Sequence, residues 1–256
     1  ARGAGLLPEG WGELRRLLWC ITGAGYKMRA IFNVMSGLKA QLSLKITTVL
    51  SRAGREIARL YGVLDRLRAI SPGGYYEELV VEDPLRPVSR IPGRVMTSSY
   101  DAVAIAPATA NTVAKMAHGI ADTLATQAFS MAGKSGTPVV VLPSDHSEIV
   151  EAELPCTVDP GACKSCPECQ PELSCPQGAI YRLEDGTARI DMALCRGCET
   201  CVPLCPHGAV SCWRKVVLRC RELDLANVRA LEATPGVHVV RSEDELYEVL
   251  RRLLSG

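Results

Sequence analysis

Two runs of cysteine carry the most specific chemistry in the chain. The first is Cys163, Cys166, Cys169 and Cys175, followed by Pro176; the second is Cys195, Cys198, Cys201 and Cys205, followed by Pro206. Each is three cysteines with two residues between them and then a Cys-Pro. A cubane iron–sulfur cluster needs four thiolates converging on one small body, and a triplet on a tight loop can supply three corners. Structural zinc is the competing use of four thiolates, but zinc sites usually come as separated CxxC pairs. The runs therefore predict two [4Fe–4S] clusters and one-electron transfer.

The second run reads C-x2-C-x2-C-x3-C-P and resembles the run of bacterial ferredoxins. The first departs only in its last gap of five residues. In such domains the Cys-Pro cysteine ligates the other cluster. The resemblance thus implies one ligand set of Cys163, Cys166, Cys169 and Cys205, and another of Cys195, Cys198, Cys201 and Cys175. Cys175-Pro-Gln-Gly-Ala-Ile and Cys205-Pro-His-Gly-Ala-Val are one phrase written twice, as an internal duplication requires. His207, inside the second phrase, could tune a cluster or simply face solvent. Four cysteines are left over. Cys20 and Cys220 lie in or beside apolar strands and are expected in the core. Cys156 and Cys212 each stand seven residues outside the runs. The first and last strands of a two-cluster ferredoxin pair, so these two should lie close. We expect two buried thiols there, with a disulfide as the alternative.

The surrounding elements must position this module. Leu17–Thr22, Leu44–Leu50, Ala102–Ala106 and Pro138–Leu142 are short apolar runs that read as buried parallel strands. Helical stretches at Tyr26–Leu38, Ala53–Tyr61, Thr112–His118 and Ala121–Ala132 alternate with them. The βαβα rhythm predicts a doubly wound α/β sheet. Residues 71–94 read as a long, partly irregular excursion. After the cysteines, Lys215–Arg219 and Val237–Arg241 read as strands, and Leu225–Glu232 and Glu243–Leu254 as helices. The cysteine domain is therefore expected as an insert at 153–213 within an α/β domain of 1–152 and 214–256; a separate C-terminal subdomain is the alternative.

In open parallel sheets ligands bind beyond the strands' carboxyl ends. Those ends are Gly23-Ala24-Gly25, Ser51-Arg52-Ala53-Gly54, Pro107-Ala108-Thr109-Ala110-Asn111-Thr112 and Pro143-Ser144-Asp145-His146. Glycines before a helix let backbone N–H groups approach a phosphate, although plain strand–helix packing explains them too. Met28 stands where the dinucleotide fingerprint has its third glycine, and strand two ends without an acid. Arg52 keeps an NADP-type phosphate in view, but a single-phosphate cofactor fits better. His146, oriented by Asp145, is a candidate proton donor; an ordinary loop histidine is the plainer reading. Tyr75 and Tyr76 could stack on a ring, His118 reads as a helix-end residue, and Lys27 and Arg29 face either phosphate or solvent.

The stretch from Pro107 to Thr112, continuing to Asp122, resembles the "PASANT" motif of the homo-oligomeric flavin-containing cysteine decarboxylase superfamily. The resemblance spans about residues 15 to 146 and implies a flavodoxin-like (Rossmann-type) sheet that binds FMN between protomers of a trimer. It implies FMN contacts at Gly23, Gly25, Ser51 and Thr109, with Ala24, Ala53, Pro107, Ala108 and Thr112 beside them. Asn111 is implied next to both flavin and substrate. The decarboxylases' PxMNxxM motif is replaced here by Pro143-Ser144-Asp145-His146-Ser147-Glu148, which argues against cysteine-type decarboxylation. A flavin domain with an inserted two-cluster ferredoxin (an α+β module) is similar to the archaeal flavoproteins of the dihydromethanopterin reductase (acceptor) type and related archaeoflavoproteins. Leu50-Ser51-Arg52-Ala53-Gly54, Tyr61-Gly62 and Pro72-Gly73-Gly74-Tyr75 have the texture of that group.

That resemblance implies a reductase in which a donor such as ferredoxin feeds two clusters, then FMN, then a pterin-like C=N bond. An electron carrier without a small substrate is the alternative, and a flavin-modifying transferase a weaker third. A net charge of +1 gives no field for nucleic acid. No run of about 18 apolar residues predicts a membrane span. The cysteine usage suggests a reducing cytoplasm.

Overall fold

The computed structural model describes residues 14–83 and 89–255. Chain order begins β1 (Arg15–Ile21), α1 (Met28–Gln41), β2 (Leu44–Leu50), α2 (Arg52–Leu60), a 3-10 turn, α3 (Leu67–Ile70) and β3 (Leu79–Val81). It continues with α4 (Arg90–Met96), β4 (Ala102–Ala108), α5 (Ala110–Ala117), α6 (Leu124–Ser135) and β5 (Val139–Pro143). The cysteine segment brings β6 (Ile149–Glu153), β7 (Thr157–Val158), α7 (Gln170–Leu173), β8 (Ile180–Arg182), β9 (Ala188–Ile190), β10 (Val210–Ser211) and β11 (Lys215–Arg219). The chain closes with α8 (Glu222–Glu232), β12 (Val237–Val239) and α9 (Glu243–Ser255).

Six strands form one parallel sheet in the order β3-β2-β1-β4-β5-β12. This is the flavodoxin-like order with β3 added at one edge. The order reverses between β1 and β4, which places the ligand crevice at their carboxyl ends. Alternate residues of β1 face opposite layers, as the strand period of two requires. Leu17, Trp19 and Ile21 pack with α1 and α9, whereas Leu18 and Cys20 pack toward α4, α5, α6 and α8. All seven residues of β4 are buried, which explains its unbroken apolar run. The tail is bound to the sheet domain by Leu246, Leu250 and Leu254 of α9, none more than 2% exposed. Burying each contributes about 1.5–3 kcal/mol.

Several elements depart from expectation for local reasons. α1 starts at Met28, two residues late, because Lys27 adopts a left-handed conformation at φ 48°. α6 starts at Leu124, where Thr123 and Thr126 form a capping box, and stops at left-handed Gly136. The excursion at 71–94 holds β3 and α4, and its residues 84–88 lie outside the described residues. Lys215–Arg219 is a strand, but it leaves the sheet to pair antiparallel with β6 as a two-stranded ribbon. That ribbon carries the chain out to the cysteine segment and back. Beyond it, β7 and β10 pair antiparallel, as do β8 and β9.

Candidate functional site

The crevice is built by four strand-end loops laced together from inside. Buried Thr22, just past β1, is the lace: its hydroxyl donates to Pro107 O at 2.9 Å and accepts from Thr109 N at 2.9 Å. Ser51 N donates to Ile21 O at 3.0 Å, and Ser144 N to Ala108 O at 2.8 Å. Trp19 Nε1 supports the same loop from below, donating to Ala106 O at 2.6 Å. Two helix starts are capped by expected site residues. The Ser51 side chain accepts from Gly54 N at 2.9 Å, and that of Thr109 from Thr112 N at 3.2 Å. α1, α2 and α5 all lack acidic residues in their first turns, and α1 has no side-chain cap. Three helix N-termini without a competing carboxylate suit a phosphate monoester.

The glycines answer a packing demand as well. A Cβ on Gly23 would lie 2.6 Å from Ala53 Cβ, and one on Gly25 would overlap the Tyr61 phenol. Ala24, Pro107 and Ala108 are buried, while Ala53 and Asn111 are exposed. Asn111 stands in the first turn of α5 with no side-chain partner among the described residues.

His146 lies at the β5 rim, with Nε2 at 2.8 Å from the Tyr26 hydroxyl and Nδ1 at 2.7 Å from Ser147 Oγ. Asp145 does not orient it; that carboxylate accepts instead from Ser144 Oγ at 2.5 Å, with the Cys220 thiol at 3.7 Å. Burial lowers the His146 pKa, and the charges of Arg241 and Lys27 lower it further. Burial, then Glu243, pushes Tyr26 up to about 12. A neutral imidazole thus stands against a protonated phenol that also reaches Arg241 O at 3.3 Å. Lys27 faces neither phosphate nor open solvent, because it pairs with Glu243. Arg29 pairs with Glu199 at 3.2 Å. Tyr75 and Tyr76 lie at the opposite end of the sheet within the protomer, beside the first residues of β1 and β2. There Arg16 sits over Tyr76, and Lys45 donates to Tyr75 O. His118 is the C-cap of α5.

The eight cysteines line two separate cavities. Cys163, Cys166, Cys169 and Cys205 line one, with Val158 and Val210 in its wall. Cys175, Cys195, Cys198 and Cys201 line the other, with Ala179 and Ile190. Among the described residues no three His, Cys, Asp or Glu side chains are close-set enough to share one metal ion. Each quartet encloses a space, and a cubane requires room between its ligands where a single zinc requires a point. Burial raises the Cys195 thiol and pushes Cys201 up to about 11, so neither is a free thiolate nucleophile. Backbone donors already reach the sulfurs: Ala179 N lies 3.3 Å from Cys175 Sγ and Ala188 N 3.5 Å from Cys163 Sγ. Such N–H···S bonds are a lever on cluster potential. His207 is exposed at the lip of the first cavity.

One expectation is overturned beside these cavities. Cys156 and Cys212 are not two thiols; they form a disulfide with S–S 1.96 Å. The pairing of Thr157 with Ser211 brings them opposite each other. Cys20, by contrast, is a fully buried free thiol, pushed up to about 12 by burial. Residue-type reasoning missed Thr22, Tyr26, Tyr61 and Trp213. A threonine at a strand end and an aromatic at a helix end are too common to stand out.

Comparison with known proteins agrees with these features. Residues 10–157 match the Flavoprotein family and residues 188–211 the 4Fe-4S binding domain. Dihydromethanopterin reductase (acceptor) of Methanosarcina mazei is 38% identical over 93% of this chain and 99% of its own length. The protein of the same name from Methanocaldococcus jannaschii is 40% identical over 91% and 94%. Among solved structures, the FMN complex of Burkholderia xenovorans DmrB, described as a cubic protein cage for redox transfer, superposes with a TM-score of 0.59. It is 26% identical and the match covers 96% of this chain and 98% of that one.

Proposed function

The chain belongs to the Flavoprotein family, alongside dihydromethanopterin reductase (acceptor), and from that membership we propose an iron–sulfur flavoprotein reductase acting on a dihydropterin. In this reading electrons from a low-potential donor such as ferredoxin would pass by way of two [4Fe–4S] clusters and FMN to dihydromethanopterin or a close relative. The observation that carries it is the presence, in one chain, of two cavities lined by four free cysteines each and a crevice of three acid-free helix starts. The flavoprotein domain comprises 1–152 and 214–256 and the ferredoxin-like insert 153–213; the return of β12 beside β5 supports that division.

Gly23, Ala24, Gly25, Ser51, Ala53, Pro107, Ala108, Thr109, Asn111 and Thr112 would hold the flavin. Bound there, FMN would supply the conversion between one-electron and hydride chemistry. The helix starts at Ser51 and Thr109 would hold the phosphate end, and the laced loops would exclude water below it. Asn111, unpartnered in the first turn of α5, orients the ligand by its amide. His146 is the proton-handling group of this scheme. It is neutral, so it would accept a proton or relay one between the Tyr26 and Ser147 hydroxyls that its ring nitrogens meet, rather than give up its own. The protein works in the cytoplasm as a homo-oligomer built from trimers, in keeping with the caged relative.

The test is to count iron, sulfide and FMN per chain in anaerobically purified protein, and then to add dihydropterins to the reduced form. Eight irons, one FMN and flavin reoxidation by a dihydropterin are expected under the cluster stoichiometry of two cubanes. Reoxidation by no pterin would leave an electron carrier in place of the enzyme.

A further inference from the structure

The cysteine insert is seated on the flavoprotein sheet through an aromatic joint. Trp213, just past the insert's last paired strand, lies against Tyr61 with ring centroids 5.2 Å apart and planes inclined by 36°. On the sheet side, the Tyr61 phenol fills the space that a Cβ on Gly25 would need, and its hydroxyl donates to Glu153 O. On the insert side, the Trp213 ring closes on Gly197, where an added Cβ would lie 3.0 Å from it and would overlap Leu60 O. Gly197 stands between Cys195 and Cys198, on the loop of the second cavity. Contacts therefore run without a break from that loop through Trp213 and Tyr61 to Gly25 in the crevice.

Charged groups lock the same joint. Trp213 Nε1 donates to Glu199 Oε1 at 2.7 Å, Glu199 pairs with Arg29, and the Arg29 guanidinium lies 4.6 Å from the Trp213 ring centre. Arg59 donates to Cys195 O at 2.5 Å and to Met192 O at 2.8 Å. Leu60 packs into the apolar cluster that contains Cys175 and Cys195. The first cavity has a different wall: every residue lining it lies between Val158 and Val210, within the insert.

We propose that Trp213 and Tyr61 are positioning residues for electron transfer, seating the Cys175/Cys195/Cys198/Cys201 cage as the flavin-side cage. The Cys163/Cys166/Cys169/Cys205 cage then faces the donor, a one-electron low-potential reductant. This rests on the reductase reading above. Each transfer removes one electron from the flavin-side cage and adds one to the flavin, with no bond formed or broken; the donor replaces it through the other cage. Tunnelling falls off less steeply through packed atoms than across an open gap, so the joint sets the rate by filling the gap and fixing its width.

The test mixes anaerobic holoprotein with reduced methyl viologen and follows cluster and flavin absorbance by stopped flow. Wild type, Trp213→Leu, Trp213→Phe, Tyr61→Leu and Tyr61→Phe are compared, with iron and FMN counted in each. Expected are wild-type cluster reduction in all, flavin reduction slowed by over an order of magnitude in both leucine variants, and near-complete rescue in both phenylalanine variants. Hydrogen exchange supplies a readout independent of turnover: the amides of Gly62 and Gly197 should exchange faster in the leucine variants. Leucine variants that keep both cofactors, pass electrons at the wild-type rate and show unchanged exchange would overturn the proposal. If Trp213→Leu sheds iron, Tyr61→Leu decides by the same criteria. Clusters that never reduce the flavin in wild type would sink the parent reading and this one with it.

Discussion

Replacing Thr22 with valine isolates the hydrogen bonds that lace the proposed flavin crevice. The shapes match, so no cavity opens. What changes is the pairing of two backbone groups beneath the site. Thr109 N loses its acceptor at 2.9 Å, while Pro107 O loses the hydroxyl but keeps Thr22 N at 3.2 Å. Thr22 is only 3% exposed, so water does not readily replace the lost partner. An orphaned buried N–H costs about 1–3 kcal/mol and a net hydrogen bond about 1 kcal/mol. Because Pro107 O retains a donor, we expect a total of about 2–3 kcal/mol. Thr109 is both the N-cap of α5 and a proposed flavin contact, so part of that loss should reach the ligand. A loss of about 2 kcal/mol in binding corresponds to roughly 30-fold in Kd. Urea denaturation of the FMN-free protein and a flavin fluorescence titration measure the two effects separately. Thr22→Ser is the control, since it keeps the hydroxyl and loses one methyl group, about 0.8 kcal/mol. If the valine variant matches the serine variant in both urea midpoint and FMN affinity, the lacing argument is wrong.

Three further outcomes are expected. The His146 pKa is lowered from 6.5 by burial, Arg241 and Lys27, so the stability linked to it is present in full above the unfolded-state value and is lost as the pH falls through the lower folded-state value. Thermal melts from pH 7.5 to 5 should show this acid-side loss, and His146→Gln should flatten it. The disulfide closes a loop of 56 residues around both cavities, which corresponds to about 4 kcal/mol of loop-closure entropy. Under non-reducing denaturation after iron removal, ten of the twelve cysteines should alkylate, and a Cys156→Ala/Cys212→Ala double variant should show faster proteolysis confined to the insert; twelve alkylated thiols would refute the bond. Excising residues 154–214 and joining Glu153 to Lys215, which are partners in the ribbon, through Asn-Gly should leave a sheet domain that binds FMN but takes no electrons from methyl viologen through clusters; loss of FMN binding would show that the insert also shapes the crevice.

The parts of this molecule that were legible in the sequence are those whose signal is local. Four buried strands announce themselves as apolar runs because both faces of a parallel sheet are covered, and β4 is buried at every residue. Cysteine spacing reports on ligand loops because a triplet must fold onto one body within a few residues. The joint was illegible for the opposite reason. Tyr61 and Trp213 meet across more than a hundred residues, and nothing near either says that Gly25 and Gly197 leave space for them. Thr22 was read as the end of a strand, which it is; its role comes from Pro107 and Thr109, delivered by a different strand. Strand pattern likewise found Lys215–Arg219 but not its partner. Alternation fixes which side chains share a face, whereas pairing is set by where the chain must go next.

The chain leaves the sheet after β5 and must return to add β12 on the outer side of β5. An excursion whose two ends lie together disturbs the sheet least, and the β6–β11 ribbon supplies this by pairing the outgoing and incoming strands over five residues each. β5 ends at the same edge of the sheet as β1 and β4, so whatever the ribbon carries is delivered to the crevice edge. Tyr61, at the end of α2, and Arg29, in the first turn of α1, then reach the insert without any change in the sheet. These two side chains and Arg59 in the last turn of α2 each have a counterpart on the insert: Trp213 for Tyr61, Glu199 for Arg29, and the Cys195 carbonyl for Arg59. A flexible tether would satisfy chain connectivity equally well but would need none of these contacts. Their convergence on and beside the Cys195–Cys198 loop holds this loop in a fixed position relative to Gly25, which is what the proposed electron transfer over a set distance requires.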